Sequence, residues 1–386
     1  MSGPVVDNSV AGADRLRHID ALRAIAALLV LWRHVADAFA GLGPGVHGLW
    51  VVDWSAALDF GRIGVVAFFL VSGYVIPFSI DPARPSPVAT FLIKRFFRIY
   101  PAYWLSIPLG AFATCWIWGL PFGLREFLVN LTLLQDFFGV RAALGLYWTL
   151  LVEWAFYLLC VVLLLTGSFA RPRRWLALSV LFSAFYSAEM LAYWATGVRV
   201  IGPTAAFAFL NVSLMLLGTL YRHVLVEGGG DGDPGLRVGV FGLLAWHLLA
   251  LPAGATLAIG TAVNATIPYA FGLLVFVAGV SFVPLRSRLT DWLGRVSYSI
   301  YLFHPVVFML SIWWLQRFPV QSAWRSQHLG VYVLANAILT GAFATLVYHW
   351  VERPGMRLGR RVARWWGGRA LRDAQRPRDG VVPAEG

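Results

Sequence analysis

Charge is scarce in this chain. Only 13% of its 386 residues are Asp, Glu, Lys or Arg, about half the share of an ordinary soluble domain. With 59% of residues hydrophobic, a water-facing fold of this length would strand an excess of apolar surface. Lysine is nearly missing: Lys94 stands alone among 31 basic residues. Cysteine is nearly missing too. Cys115 and Cys160 both sit in apolar runs, which excludes a disulfide framework or a thiolate metal centre and leaves two small buried hydrophobes. There is no internal repeat. There is no cleavable leader either, because the first apolar run carries Arg23, Arg33 and His34 inside it and lacks a small-residue cleavage site. The glycine-rich loop Glu227–Pro234 has no calcium-site spacing and reads as a linker.

What is abundant is apolar sequence in long runs. About 20 apolar residues span a bilayer, and ten such segments follow one another at 20–40, 60–80, 96–118, 146–166, 174–196, 203–222, 236–252, 262–283, 294–316 and 329–352. The 18 tryptophans suit interfacial belts. The fold class predicted is all-α, a polytopic membrane bundle of about ten transmembrane helices. A tail over 1–17 precedes a membrane domain over 18–355, and a basic, disordered tail follows over 356–386.

Arginine placement gives the orientation. With a cytoplasmic N-terminus, 23 basic residues fall inside and five outside: Arg125, Arg141, Arg199, Arg317 and Arg325. That asymmetry predicts both termini in the cytoplasm. It also accounts for the net charge of +12 without nucleic acid, since the arginines after Val351 serve as a topology signal and an anionic-lipid contact.

Ionisable groups within spans are costly and face the protein interior. Arg23 and His34 are eleven residues apart, three turns plus about 20°, so they share one helix face with a rise of about 16 Å. This sets a cation near the cytoplasmic mouth and a titratable imidazole past the midplane. An imidazole out of water is neutral, the form that either a general base or a transient acyl carrier needs; a plain hydrogen bond to a neighbouring helix explains His34 equally. Arg95 and Arg98, one turn apart beside Lys94, could join Arg23 in an anion site suited to phosphates, or simply anchor the span. Glu153 reaches a depth similar to that of His34. There a carboxylate could orient the histidine or pair with Arg33, while an internal salt bridge is the plainer reading. Ser297, Tyr298, Tyr301 and His304 recur at helical spacing before Pro305, as for a cavity lining or for helix–helix hydrogen bonds. Ser72 is a poor nucleophile without a placed base. His18, His47, His223, His247, His328 and His349 have no companion motif.

Taken in order, several blocks resemble acyltransferase family 3, over about residues 17–355. They are Ile-Asp-x-Leu-Arg with Arg23-x10-His34, Phe-Phe-Leu-Val-Ser-Gly-Tyr, Arg-Phe-Phe-Arg-Ile-Tyr-Pro-Ala-Tyr-Trp, Tyr-Trp-Thr-Leu-Leu-Val-Glu-Trp-Ala-Phe-Tyr, Ser-Tyr-Ser-Ile-Tyr-Leu-Phe-His-Pro and Val-Glu-Arg-Pro354. The resemblance implies a multi-pass enzyme of the bacterial inner membrane. It implies an acyl-CoA donor, commonly acetyl-CoA, with no metal, and an acceptor hydroxyl on a surface polysaccharide or a secreted metabolite such as a macrolide. It implies His34, Arg23 and Glu153 as catalytic and Arg95 and Arg98 as the donor-binding arginines; Tyr157, Ser297, Tyr298, Tyr301 and His304 are the residues expected around the substrate cavity. The chain departs from the family pattern at Trp154 and Ala155, where a more polar stretch is usual. The rival class is a transporter or a flippase of sugar-linked lipids; the missing repeat counts against it. A membrane scaffold would leave the paired Arg23 and His34 unexplained.

Overall fold

The computed structural model describes residues 8–251, 263–282 and 287–375. Among the described residues there is no strand, only one isolated bridge between His47 and His328. The longer helices are α1 (Asn8–Ala40), α2 (Trp50–Ala57), α3 (Phe60–Val75), α4 (Pro87–Thr114), α5 (Leu124–Asn130), α6 (Tyr147–Leu165), α7 (Pro172–Thr196), α8 (Pro203–Leu220), α9 (Pro234–Ala245), α10 (Val263–Ser281), α11 (Arg288–Leu315), α12 (Leu329–Val347) and α13 (Arg353–Gln375).

Each of the ten expected segments coincides with one of these helices. Residue 252 of the seventh segment and residues 262 and 283 of the eighth lie outside the described residues, as do 376–386 of the expected tail. Among the described residues, six helical runs are long and apolar enough to cross a membrane, and Pro234–Leu249 and Ile267–Ser281 are shorter apolar helices. Neither α1 nor α4 is among the six. They carry the charges, Arg23, Arg33 and Asp37 on one and Lys94, Arg95 and Arg98 on the other. Cysteines 115 and 160 are both free and buried, as small hydrophobes.

Helix ends follow local chemistry. Ser287 caps α11: its hydroxyl accepts from the Thr290 amide at 3.0 Å, while its own amide donates back to the Thr290 hydroxyl at 2.9 Å. Asp233 caps α9 by accepting from the Leu236 amide at 3.0 Å. Pro87 occupies the first turn of α4, where a missing N–H costs nothing. That start lies nine residues before the expected one. Residues 353–375 are helical rather than a disordered tail as far as Gln375. This last helix continues α12 through a π-helical turn at Tyr348–Glu352.

The helices α1 and α3 form the middle of the bundle. On one side α1 packs against α11; on the other, α3 packs against α8 and α10. The α3–α8 crossing is close enough that a Cβ on Gly73 would strike the Met215 carbonyl, and one on Gly218 the Leu70 carbonyl. Glycine there lets two backbones touch, as small residues do between membrane helices. Two spaces remain open beside this crossing: α1, α3, α4, α6 and α11 line one, and α8 and α10 add to the walls of the other.

Candidate functional site

His34 and His304 face each other from α1 and α11, with Nδ1 of His34 2.8 Å from Nε2 of His304. His304 Nδ1 lies 2.7 Å from the Tyr301 carbonyl. A carbonyl only accepts, so His304 carries its proton on Nδ1 and, when neutral, offers a lone pair at Nε2. His34 must then donate from Nδ1, which leaves its own Nε2 as the unprotonated nitrogen. The local sequence explains why that carbonyl is free. Pro305 has no N–H to bond the residue four positions back, which is Tyr301. The Phe-His-Pro run thus exposes an acceptor and supplies the histidine that takes it.

His34 is half-buried and lines a cavity of about 1040 Å3. Trp148, Phe207, Tyr269, Tyr301 and Phe308 give it aromatic walls. Its polar rim is made of two ion pairs, Arg33 with Asp37 and Arg62 with Asp59 at 3.2 Å.

A second pocket, of only about 80 Å3, lies toward the start of α1 and is lined by Arg23, Arg95, Arg98, Glu153, Tyr157 and Tyr298. Its cations are already engaged. Arg23 lies 3.8 Å from Asp20 and over the Phe68 ring. Arg95 donates to the Ser79 hydroxyl at 2.6 Å and sits over Tyr157 and Phe91. Arg98 is ion-paired to the fully buried Glu352 carboxylate and lies over Tyr298. Ser299 gives Glu352 a second donor at 2.8 Å.

The two spaces are separate. Phe68, on the Arg23 side, stacks on Tyr301, on the His34 side, with centroids 5.9 Å apart and planes 8° off parallel. Tyr301 is held by Thr149 at 2.8 Å. Arg23 and His34 therefore do not share one open cavity, although they sit on one helix.

Other expectations are corrected by the packing. Glu153 neither orients His34 nor pairs with Arg33: it accepts from the Tyr157 hydroxyl at 2.5 Å, beside the arginines. His304 stands behind His34 and is fully buried, so it is a partner of that ring and not part of the cavity wall. Ser297 bonds back to the Gly294 carbonyl at 2.8 Å within its own helix and lines neither space. Of the α11 group, only Tyr298 and Tyr301 line a space, one on each side. Sequence reasoning missed Glu352 as the counter-charge of Arg98 and Phe68 as half of the partition; both lie in motifs it had singled out.

Replacing Glu352 by Gln would strand the Arg98 guanidinium. Losing one member of a buried pair costs about 3–5 kcal/mol; the lower figure applies because the Arg98 side chain is 20% exposed. Thermal unfolding of the detergent-solubilised variant should fall well below that of the parent, and an unchanged melting temperature would contradict the pairing.

A family model described as an acyltransferase domain matches residues 16–349. A nodulation protein of Rhizobium leguminosarum bv. viciae, nodulation protein 10, is 29% identical over 381 residues, covering 88% of this chain and 93% of the relative. A candidate peptidoglycan O-acetyltransferase of Bacillus subtilis (strain 168) is 25% identical over 388 residues, covering 87% of this chain but only 54% of that protein. A candidate membrane-bound transacylase of Komagataeibacter xylinus is 26% identical over 392 residues, covering 91% of this chain and 86% of the relative. No solved structure is significantly similar to the chain. The chain belongs to acyltransferase family 3: it is a multi-pass membrane enzyme that transfers acyl groups other than aminoacyl groups.

Proposed function

We propose that this acyltransferase moves an acyl group, acetyl in the simplest case, from acyl-CoA to a hydroxyl of a cell-surface or exported polysaccharide. In this reading ten helices cross the bacterial inner membrane, and both termini lie in the cytoplasm with the basic segments. The donor arrives at the Arg23 end, and the acceptor enters the cavity at His34. The observation that carries the reading is the His34–His304 pair at 2.8 Å, whose remaining nitrogen is left to the cavity of about 1040 Å3. The names of two relatives, one for peptidoglycan O-acetylation and one for transacylation at a membrane, support the same chemistry.

The step balances with these groups alone. Nε2 of His34 takes the proton of the acceptor hydroxyl as its oxygen adds to the thioester carbonyl. The carbon–sulfur bond then breaks, and the departing thiolate recovers the proton from Nε2. Such proton transfer contributes about 10²–10⁴-fold. Because Phe68 and Tyr301 stand between the donor pocket and His34, the thioester reaches the imidazole only when that stack parts.

Mass spectrometry of surface glycans and secreted metabolites from a deletion strain tests the acceptor. Loss of ester groups from the glycans, restored by the intact gene, is expected. Unchanged glycans with a deacylated small metabolite would move the acceptor to that class. A purified protein that leaves acetyl-CoA unspent with every acceptor offered would rule out acetyl-CoA as the donor.

A further inference from the structure

The donor proposed above carries several phosphates on its nucleotide, and the Arg23 pocket, at about 80 Å3, is far smaller than the cavity of about 1040 Å3 at His34. It has room for part of a thioester arm and none for a nucleotide. A different space at the same end of the bundle does. Between the start of α4 and the last helix, α13, lies a cleft of about 590 Å3, walled by Arg84, Lys94, Arg357, Arg360, Arg361 and Arg364. Among the described residues no carboxylate lines it. Only Arg84 has an ion-pair partner, Asp81 at 3.1 Å; the other five have none among the described residues. Arg84, Arg95 and Arg360 lie near enough to Lys94 to repel it.

The spacing of the arginines builds this cleft. Positions 357, 360, 361 and 364 are three, four and seven apart, so all four share one face of α13. Gly355 and Gly359, on the same helix, bring it tightly onto α4: a Cβ on Gly355 would stand 2.9 Å from Pro101, and one on Gly359 2.6 Å from Phe97. The cleft and the donor pocket are lined from neighbouring positions of α4. Lys94 precedes Arg95, and Arg98 reaches Met356 at 3.3 Å, the residue before Arg357. Self-repelling cations gathered around a cleft are stabilised by a bound polyanion.

We propose that this cleft holds the phosphates of the donor's nucleotide, with the acyl arm running past Lys94 toward Arg95. The inference rests on acyl-CoA being the donor. A phospholipid head group offers the same phosphate chemistry, and the test separates the two sources.

The full-length protein in nanodiscs of neutral phosphatidylcholine would be titrated with CoA and with pantetheine, which lacks the nucleotide and its phosphates. The double variant R360E/R364E should bind CoA about 10–100-fold more weakly, the equivalent of losing one or two charge-assisted contacts, while pantetheine binding stays as in the parent. The neutral pair R360Q/R364Q, gentler on packing, should move in the same direction by a smaller factor. Parent-like CoA binding in both variants would overturn the cleft assignment and leave the donor reading intact. If CoA binding is unchanged and the variants instead lose affinity for phosphatidylglycerol vesicles, the cleft serves a lipid head group and the proposal fails. If the parent protein binds neither CoA nor pantetheine, the donor reading itself fails and takes the cleft assignment with it.

Discussion

Replacing His304 by leucine should lower acyl transfer by about 10²–10⁴-fold while the protein still inserts and folds. The range is that of losing a group that holds a catalytic imidazole in its working tautomer and orientation. His304 touches no cavity; it accepts from Nδ1 of His34 and donates its own proton to the Tyr301 carbonyl. Without it, His34 can turn or carry its proton on Nε2, the nitrogen proposed to receive the acceptor's proton. Glutamine at 304 can still accept from His34 through its side-chain carbonyl. His304→Gln should therefore retain more turnover than His304→Leu, with KM for the acceptor little changed in either. A purely structural role would instead lower protein yield and leave kcat of the surviving enzyme intact. Equal, near-parent kcat in both variants would remove His304 from the mechanism.

The helices were legible because an apolar run of about 20 residues matches the thickness of a bilayer's hydrocarbon core. The start of α4 was harder to see, since Lys94, Arg95 and Arg98 break the apolar signal over a stretch that is helical from Pro87. The Arg23–His34 face was also legible, because position around one helix follows from 3.6 residues per turn. What one helix cannot reveal is its neighbour. His34 and His304 are 270 residues apart in the chain, and nothing in either segment states that α1 and α11 abut. The same limit misplaced Glu153. Counting residues from a helix end gives depth but not direction, and Tyr157, one turn further along, took the carboxylate.

Burial alone would also have misled. His247 is fully buried in an apolar helix, yet its Nδ1 bonds the Leu243 carbonyl at 2.8 Å and its Nε2 lies 3.2 Å from Ser213. Both ring nitrogens are occupied by the protein. His34 differs in keeping one nitrogen for a cavity. In the last helix the arginine spacing was visible in the sequence, but a count of positive charge reads as topology until a second helix closes the other wall of the cleft.

His34 itself offers the most direct measurement. Its proposed work is to move the acceptor's proton as the thioester is attacked, and no other imidazole lines the cavity. Alanine at this position should reduce transfer by at least about 10²–10⁴-fold, with the protein still reaching the membrane and still binding CoA. The assay is release of the free CoA thiol from acetyl-CoA by purified protein, in the presence of an acylatable polysaccharide, for the parent and for His34→Ala at matched amounts of inserted protein. Steady, acceptor-dependent release by the parent and none above background from the variant is the result expected. Release at the parent rate from His34→Ala would show that the chemistry takes place elsewhere in the bundle.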